Sequence, residues 1–124
     1  MKKSISIVSL FVIFTLSGLN PQEVASLKHA TDGGLSNSIV QVDADTYVLA
    51  YTGYNSDGYI TTFTIPTDGS SITEVASLEH DTNGGLCNSF IQVDSDTYAL
   101  AYSGANEGQI TTFTIPTDGS TVTE

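Results

Sequence analysis

The chain repeats itself, and this repetition constrains its fold more than any other feature. The segment that begins at Glu23 reads EVASLKHATDGGLSNSIVQVDADTYVLAYTG, and a near copy that begins at Glu74 reads EVASLEHDTNGGLCNSFIQVDSDTYALAYSG. Both copies continue into ITTFTIPTDGS, and the second is one residue shorter where NSDG becomes NEG. A period of about 50 residues is typical of proteins in which each repeat is one supersecondary unit that packs on its neighbours.

Each repeat contains short runs of β-branched and aromatic residues that are separated by turn sequences. In the first repeat the runs are NSIVQVD, TYVLAYTG and YITTFTIP, and they are separated by residues 43–45 and 55–58. Residues 67–70, TDGS, form the next turn signal. Glycine accepts positive φ and aspartate bonds the backbone of its own turn, so these sequences predict hairpins. With SITEVASLEH as the fourth run, each repeat is predicted to form four antiparallel strands.

The run TYVLAY is apolar on both of its alternating faces. Tyr47, Leu49 and Tyr51 share one face, and Val48 and Ala50 share the other. A strand that is buried on both faces lies in the middle of a sheet that is itself packed between neighbours. The sequence therefore predicts an all-β fold made of two four-stranded antiparallel repeats that resemble propeller blades.

The phrases DTYxLAYxG, ITTFTI and TDGSxxTEV resemble the blades of large extracellular prokaryotic repeat proteins that are thought to form β-propellers. The resemblance covers the chain from Glu23 onward. It implies a propeller-type fold but no particular activity, since the functions of those proteins are mostly unassigned.

The N-terminal residues have the pattern of a secretory signal peptide. Lys2 and Lys3 precede an apolar run at residues 5–16, which is too short for a membrane span. We expect residues 1–18 to be removed, residues 19–73 to hold the first repeat with a leading outer strand, and residues 74–124 to hold the second repeat, which ends at the start of a further outer strand. Localisation is then extracellular or at the cell surface, without membrane insertion after cleavage.

Two repeats are too few to close a propeller of about four to eight blades. One interpretation is that the chain is a fragment of a longer repeat array. The other is a homo-oligomeric ring, in which the N-terminal outer strand of one subunit completes the last blade of its neighbour.

The charge of the chain argues against two classes of partner. The sequence has 14 acidic and 3 basic residues, for a net charge of −11. Without residues 1–18, Lys28 is the remaining formal cation of this sequence. Nucleic acids and anionic membranes bind through clusters of cations, so neither is an expected partner.

Two pairs of aspartates, in equivalent hairpins, are candidates for weak calcium binding, because hard carboxylate oxygens suit that ion. The alternative is that they stabilise their own turns. No other cofactor is expected. The pairs are Asp43 with Asp45 and Asp94 with Asp96.

The candidate ligand-binding residues lie in the long loop between repeats or around the NSDG turn. Tyrosine beside polar turn groups can stack on a saccharide or contact a protein, and a histidine recurs at the same place in both repeats. The alternative is that these groups stabilise loops. The candidates are His29, Asn37, Tyr54, Asn55, Asp57, Tyr59, His80 and Asn88.

These patterns favour a non-catalytic extracellular module that binds a glycan or a protein, or that acts as a scaffold. One alternative is a structural unit of a longer array with no ligand of its own. Another is a propeller glycoside hydrolase, which needs two carboxylates in different environments. Most acids here have a counterpart in the other repeat, and no activating context surrounds a serine, so no enzymatic activity is expected.

Overall fold

The computed structural model describes residues 22–124, and the predicted signal peptide lies outside the described residues. The described chain forms two antiparallel sheets, each with its strands in chain order. The first sheet contains β1 (Leu35–Gln41), β2 (Thr46–Thr52), β3 (Gly58–Thr64) and β4 (Thr73–Asp81), and the second contains β5 (Leu86–Gln92), β6 (Thr97–Ser103) and β7 (Gly108–Thr114). The all-β prediction is confirmed, whereas a sheet of four strands is found only for the first repeat.

The turns form where the sequence predicts them. Gly69 and Gly119 occupy the left-handed region, at φ 67° and 65°, within the two TDGS turns. The carboxylate of Asp68 accepts a hydrogen bond from the backbone N–H of Ser70 at 2.9 Å, and its counterpart Asp118 accepts one in the same way at 3.0 Å. These backbone N–H groups hold the pKa of both aspartates below the usual value.

The N-terminal segment differs from the prediction of a leading outer strand. Residues 22–30 belong to no strand, although the counterpart of residues 23–29 in the second repeat is most of β4. The physical reason is the lack of a partner edge, because β4 already occupies the outer edge of β3 in the first sheet. Since β4 begins at Thr73 and pairs with β3, the boundary between the repeats at residues 73 and 74 is not the boundary between the sheets.

The second sheet contains only the beginning of a fourth strand. Thr114 and Thr123 form an isolated antiparallel bridge, with N–H···O distances of 2.8 and 3.1 Å. This bridge is the counterpart of the Thr64–Thr73 pair at which β4 begins in the first sheet. Beyond it, the outer edge of β7 has no strand partner among residues 22–124.

Each sheet has two unlike faces. The aromatic face of the first sheet carries Tyr47, Leu49, Tyr51 and Phe63, and that of the second carries Tyr98, Leu100, Tyr102 and Phe113. The aliphatic face of the first sheet carries Val48, Ala50, Ile60 and Thr62, and that of the second carries Ala99, Ala101, Ile110 and Thr112. Strand alternation produces this separation, because side chains two residues apart point to the same side.

The main core lies between the sheets, where the aliphatic face of the first packs on the aromatic face of the second. Phe90 of β5 joins this core and stacks on Tyr98, with ring centroids 5.7 Å apart. A methyl-rich surface fills the spaces between large rings without leaving polar groups unpaired, so the unlike faces suit each other. The fully packed residues are Val48, Ala50, Ile60, Phe90, Tyr98, Leu100, Phe113 and Ile115.

The central strands of the two repeats differ in burial although their sequences are nearly the same. All residues of β2 except the half-exposed Tyr47 are buried, which confirms the prediction of a strand covered on both faces. In β6 only Tyr98 and Leu100 are buried, and Ala101 on the opposite face is exposed. Each sheet has one neighbouring sheet among the described residues, but the aromatic face of the first sheet is also covered by Ala30, Tyr59, Ile65 and Ile72.

The equivalent residues Ile60 and Ile110 provide a matched test of this core. Ile60 is fully buried between the sheets, whereas Ile110 is 79% exposed. We expect Ile60→Ala to lower the free energy of unfolding by about 2–5 kcal/mol. In dilute solution Ile110→Ala should change it by less than about 0.5 kcal/mol. Urea denaturation of both variants measures the difference, and equal losses would contradict the described packing.

Candidate functional site

A cleft of about 450 Å³ opens beside the aromatic face of the first sheet. Its walls come from the loop that leads into β1, from the end of β2 and from the turn that leads into β3. This size is within the range of small-ligand sites in proteins. The lining residues are Lys28, His29, Ala30, Thr31, Asp32, Tyr51, Gly53, Tyr54 and Tyr59.

Aromatic rings form one wall of the cleft. Tyr51 and Tyr59 are direct cross-strand partners on β2 and β3, and their rings stack with centroids 5.5 Å apart. The ring of His29 meets Tyr51 edge-on at 4.7 Å. Tyr59 lies over Gly53, where a Cβ atom would be 2.5 Å from the ring, so the close approach requires glycine.

Polar groups converge on the same cleft. The hydroxyl of Tyr59 lies 3.4 Å from a carboxylate oxygen of Glu79. Burial, together with the carboxylates of Glu79 and Asp57, raises the pKa of Tyr59, so this phenol remains a hydrogen-bond donor at neutral pH. The Nδ1 atom of His29 is buried and has no hydrogen-bond partner within residues 22–124.

The turn before β3 presents the most exposed aromatic residue of the site. Residues 54–56 form a single 3₁₀ turn in which Asn55 and Ser56 have positive φ angles of 55° and 72°. Backbone bonds close the turn, from Asp57 N–H to Tyr54 O at 3.0 Å and from Gly53 N–H to Asp57 O at 2.8 Å. The turn holds Tyr54 at the mouth of the cleft, where it is 65% exposed.

The cleft coincides with positions at which the two repeats differ. Of its nine lining residues, Lys28, Ala30, Asp32, Tyr54 and Tyr59 are replaced in the second repeat, by Glu79, Asp81, Asn83, Ala105 and Gln109 respectively. In the second repeat burial raises the pKa of Tyr102, and the nearby Asp81 carboxylate adds to the effect. Asp81 therefore approaches Tyr102 where Ala30 leaves space beside Tyr51.

Of the residues predicted from sequence, the structure brings together His29, Tyr54 and Tyr59 around this cleft, and Asn55 and Asp57 lie in the adjoining turn. The side-chain amides of Asn37 and Asn88 instead donate to the backbone oxygens of Gly34 and Gly85, both at 2.8 Å. Those two side chains stabilise the equivalent bends that precede β1 and β5.

His80 lies apart from the cleft, at the junction of the two sheets. Its ring contacts Tyr102 edge-on at 4.8 Å and lies 5.8 Å from Phe113. Neither ring nitrogen has a hydrogen-bond partner within the described residues. Burial lowers the pKa of His80, and the neighbouring Asp81 carboxylate opposes this effect only in part.

The paired aspartates remain in their hairpins. The carboxylates of Asp45 and Asp96 lie 3.5 and 3.3 Å from the hydroxyls of Thr46 and Thr97. Asp94 accepts the backbone N–H of Ser95 at 2.7 Å. No group of three or more histidine, cysteine or acidic side chains in residues 22–124 is arranged to hold a metal ion. Calcium binding by Asp43, Asp45, Asp94 and Asp96 stays a prediction.

Sequence reasoning missed part of the cleft. The sequence places Tyr51 only on the buried face of a strand, and Lys28, Thr31 and Asp32 are not among the candidate ligand-binding residues that it predicts. The signal that could have identified Lys28 and Asp32 is their replacement by Glu79 and Asn83 in an otherwise repeated loop.

Comparisons with protein-family models, with curated proteins and with solved structures found no match. The described residues contain no helix with the length and apolar character needed to cross a membrane.

The buried, unpaired His80 predicts an acid-dependent loss of stability. Because its pKa is lowered on folding, the unfolded chain binds the proton more readily than the folded chain. The stabilising effect of the neutral ring is complete above about pH 6.5 and is lost as the pH falls from there through the lowered pKa of the folded state. As the pH is lowered from 7.5 to 5, the melting temperature should fall with this profile.

His80→Phe, which keeps an aromatic ring beside Tyr102, should flatten that decline, and His29→Phe serves as the control for removing a histidine ring elsewhere. An unchanged decline in the His80 variant would assign the acid sensitivity to other groups.

Proposed function

We propose that the chain is a secreted, non-catalytic binding module that holds a saccharide in the cleft beside β2 and β3. The observation that carries this proposal is the combination of stacked tyrosines and converging polar groups around about 450 Å³ of space. Sugars present apolar C–H faces between rings of hydroxyl groups. An aromatic wall with donors and acceptors at its margin matches both features.

The polar margin supports recognition of a neutral or weakly polar ligand. Lys28 and Asp32 place one cation and one carboxylate on the lining, and Thr31 adds a hydroxyl group. Each can bond a sugar hydroxyl, as a donor or as an acceptor. Since the whole chain has a net charge of −11, an anionic ligand would be repelled at long range.

The distribution of differences between the repeats also supports a role for this cleft. The strands, turns and junction glycines are nearly the same in both copies, whereas five of the nine lining positions differ. Tyr54 is 65% exposed, so packing between the sheets does not require a tyrosine at this position. A ligand site that belongs to one repeat accounts for changes concentrated on one surface.

The residues that line the cleft support a non-catalytic role. Glycoside hydrolysis uses two carboxylates about 5–9.5 Å apart. Among the described lining residues Asp32 is the one carboxylate, and Glu79, which lies outside the lining, already contacts Tyr59. Binding without bond cleavage therefore fits the groups present.

The proposed module is secreted, and its sheets are arranged as in a propeller. Secretion rests on the signal-peptide pattern of residues 1–18. The propeller interpretation is supported by meander sheets that stack face to face through unlike faces, with β5 packed near β1. A second candidate function is scaffolding without a ligand, and it is favoured by the exposed side chains of Ile39 on the first sheet and Ile110 on the second.

A truncation of Tyr54 tests the binding proposal. Tyr54 is 65% exposed, so Tyr54→Ala should leave the melting temperature unchanged. Loss of its stacking surface should weaken binding about tenfold, which corresponds to about 1.4 kcal/mol. The measurement is a screen of neutral oligosaccharides on an array, followed by calorimetric titration of the best binder.

The matched control is Asn106→Ala, in the equivalent turn of the second repeat and outside the cleft lining. It should bind like the unaltered protein. The proposal fails if correctly folded protein binds no oligosaccharide on the array, or if Tyr54→Ala and Asn106→Ala have the same affinity.

A further inference from the structure

Three hydrogen bonds join the two sheets across their common interface. The hydroxyl of Thr62 donates to the backbone oxygen of Gly119 at 2.7 Å, and the backbone N–H of Phe90 donates to the hydroxyl of Ser38 at 3.0 Å. The hydroxyl of Thr52 donates to the backbone oxygen of Gly85. All three use groups that recur in the other repeat.

Glycines make the same interface possible by allowing backbone contact. A Cβ atom on Gly85 would overlap the Cα atom of Gly58. One on Gly119 would lie 2.9 Å from the Thr46 side chain and 3.2 Å from that of Thr62. The same glycines occur in both repeats. The sequence therefore contains two sets of contact residues, and one set forms the junction between the two sheets.

The counterparts of two of these glycines face open space, whereas a Cβ atom on Gly34, the counterpart of Gly85, would lie 3.3 Å from the His29 ring. Gly108 corresponds to Gly58 and Gly69 corresponds to Gly119, and neither has any heavy atom within 4 Å of a Cβ position. Ile39 is 59% exposed, whereas its counterpart Phe90 is 4% exposed. Ile39 borders an apolar groove of about 150 Å³ on the aromatic face of the first sheet. Each end of the sheet pair therefore carries half of the interface that joins its middle.

We infer that the aliphatic face of the second sheet docks on the aromatic face of the first sheet in a second copy of this chain. The contact repeats the internal junction, because every group that bonds across that junction has a counterpart on the open faces. The expected pairs are Ser103 Oγ with Gly34 O, Thr112 Oγ1 with Gly69 O, and Ser89 Oγ with Ile39 N–H. Unlike faces meet head to tail, so the contact builds rings or chains rather than an isologous dimer.

The same contact provides a strand for the open edge of β7. Residues 23–29 are the counterpart of the β4 segment that pairs with β3, and they belong to no strand in this chain. Ala76 and Leu78 of β4 pair with Thr62 and Ile60. Ala25 and Leu27 of the second copy are placed to pair with Thr112 and Ile110 in the same register, which adds a fourth strand to the second sheet.

His29, at the end of this segment, already has the position that His80 has at the end of β4. His29 meets Tyr51 at 4.7 Å and 72°, and His80 at the end of β4 meets Tyr102 at 4.8 Å and 77°. His80 thus leads from the outer strand of the first sheet onto the aromatic face of the second, and His29 has the equivalent position on the first sheet although residues 22–30 belong to no strand. Assembly therefore retains the His29–Tyr51 contact that forms part of the cleft.

Charge sets the conditions under which association occurs. Each chain has a net charge of −11, so two copies repel each other at low ionic strength. Apolar faces and backbone bonds form most of the contact and are insensitive to screening. Association should therefore strengthen as salt shortens the Debye length to below about 10 Å.

The experiment is sedimentation velocity on the full chain in high salt, over a range of protein concentrations and with reductant, since Cys87 is an exposed free cysteine. Gly108→Leu places a bulky side chain where nothing lies within 4 Å in the single chain, and Gly108 is not in the left-handed region. We expect an unchanged melting temperature in dilute solution and association weakened on the order of 100-fold.

Asn106→Leu is the matched control. Its counterpart Asn55 stays exposed even though the first repeat has a neighbour on that side, so the added leucine should leave association unchanged. This variant also controls for non-specific association through added apolar surface or through the N-terminal residues.

A mixing experiment separates head-to-tail contact from an isologous one. Ile39→Lys disables the aromatic face of the first sheet, and Gly108→Leu disables the aliphatic face of the second. Each variant alone should remain monomeric, and an equimolar mixture at high concentration should form a 1:1 dimer through the two intact faces.

A chain that is monomeric at every concentration and salt level overturns the inference, as does a Gly108→Leu variant that associates like the unaltered protein. Neither result depends on whether the cleft binds a saccharide.

Discussion

The fold depends on the packing of two unlike faces, an aliphatic one on the first sheet and an aromatic one on the second. Val48, Ala50 and Ile60 fill the surface of a cluster built on Tyr98 and Phe113, and all five side chains are at most 1% exposed. A sheet that is apolar on one face must bury that face against another element, and among residues 22–124 each sheet does so against the other. The junction therefore stabilises both sheets, and its hydroxyl-to-backbone bonds fix how they are aligned.

The same packing explains why nearly identical sequences have different environments. Ile60 is inside the junction and Ile110 is in solvent, although both belong to the phrase ITTFTIPTDGS. Each repeat encodes an aromatic face and an aliphatic face. The junction between the two sheets covers the aliphatic face of the first and the aromatic face of the second. The unpaired segment at residues 23–29 and the uncovered edge of β7 are two further halves of one interaction.

Much of the architecture could be predicted from the sequence because it depends on local chemistry. Gly69 and Asp68 specify a turn by themselves, and alternation in TYVLAYTG specifies a strand with two apolar faces. The features that could not be predicted depend on which strands and sheets pack beside a given segment. Residues 23–29 have the sequence of a strand, but β4 already occupies the outer edge of β3, and one face of β6 carries the exposed Ala101. The cleft likewise depends on Ala30 leaving space beside Tyr51, which no local pattern reveals.

The most direct test of this account is amide hydrogen exchange of the peptides YITTFTIP (residues 59–66) and QITTFTIP (residues 109–116). From the isoleucine onward these peptides are identical, so differences in protection report their environments. In dilute solution the β7 peptide should exchange faster than the β3 peptide, because its outer edge has no partner strand. At high protein concentration and high salt, the two should converge. A β7 peptide that is equally protected in dilute solution, or that stays unprotected at every concentration, would contradict the account.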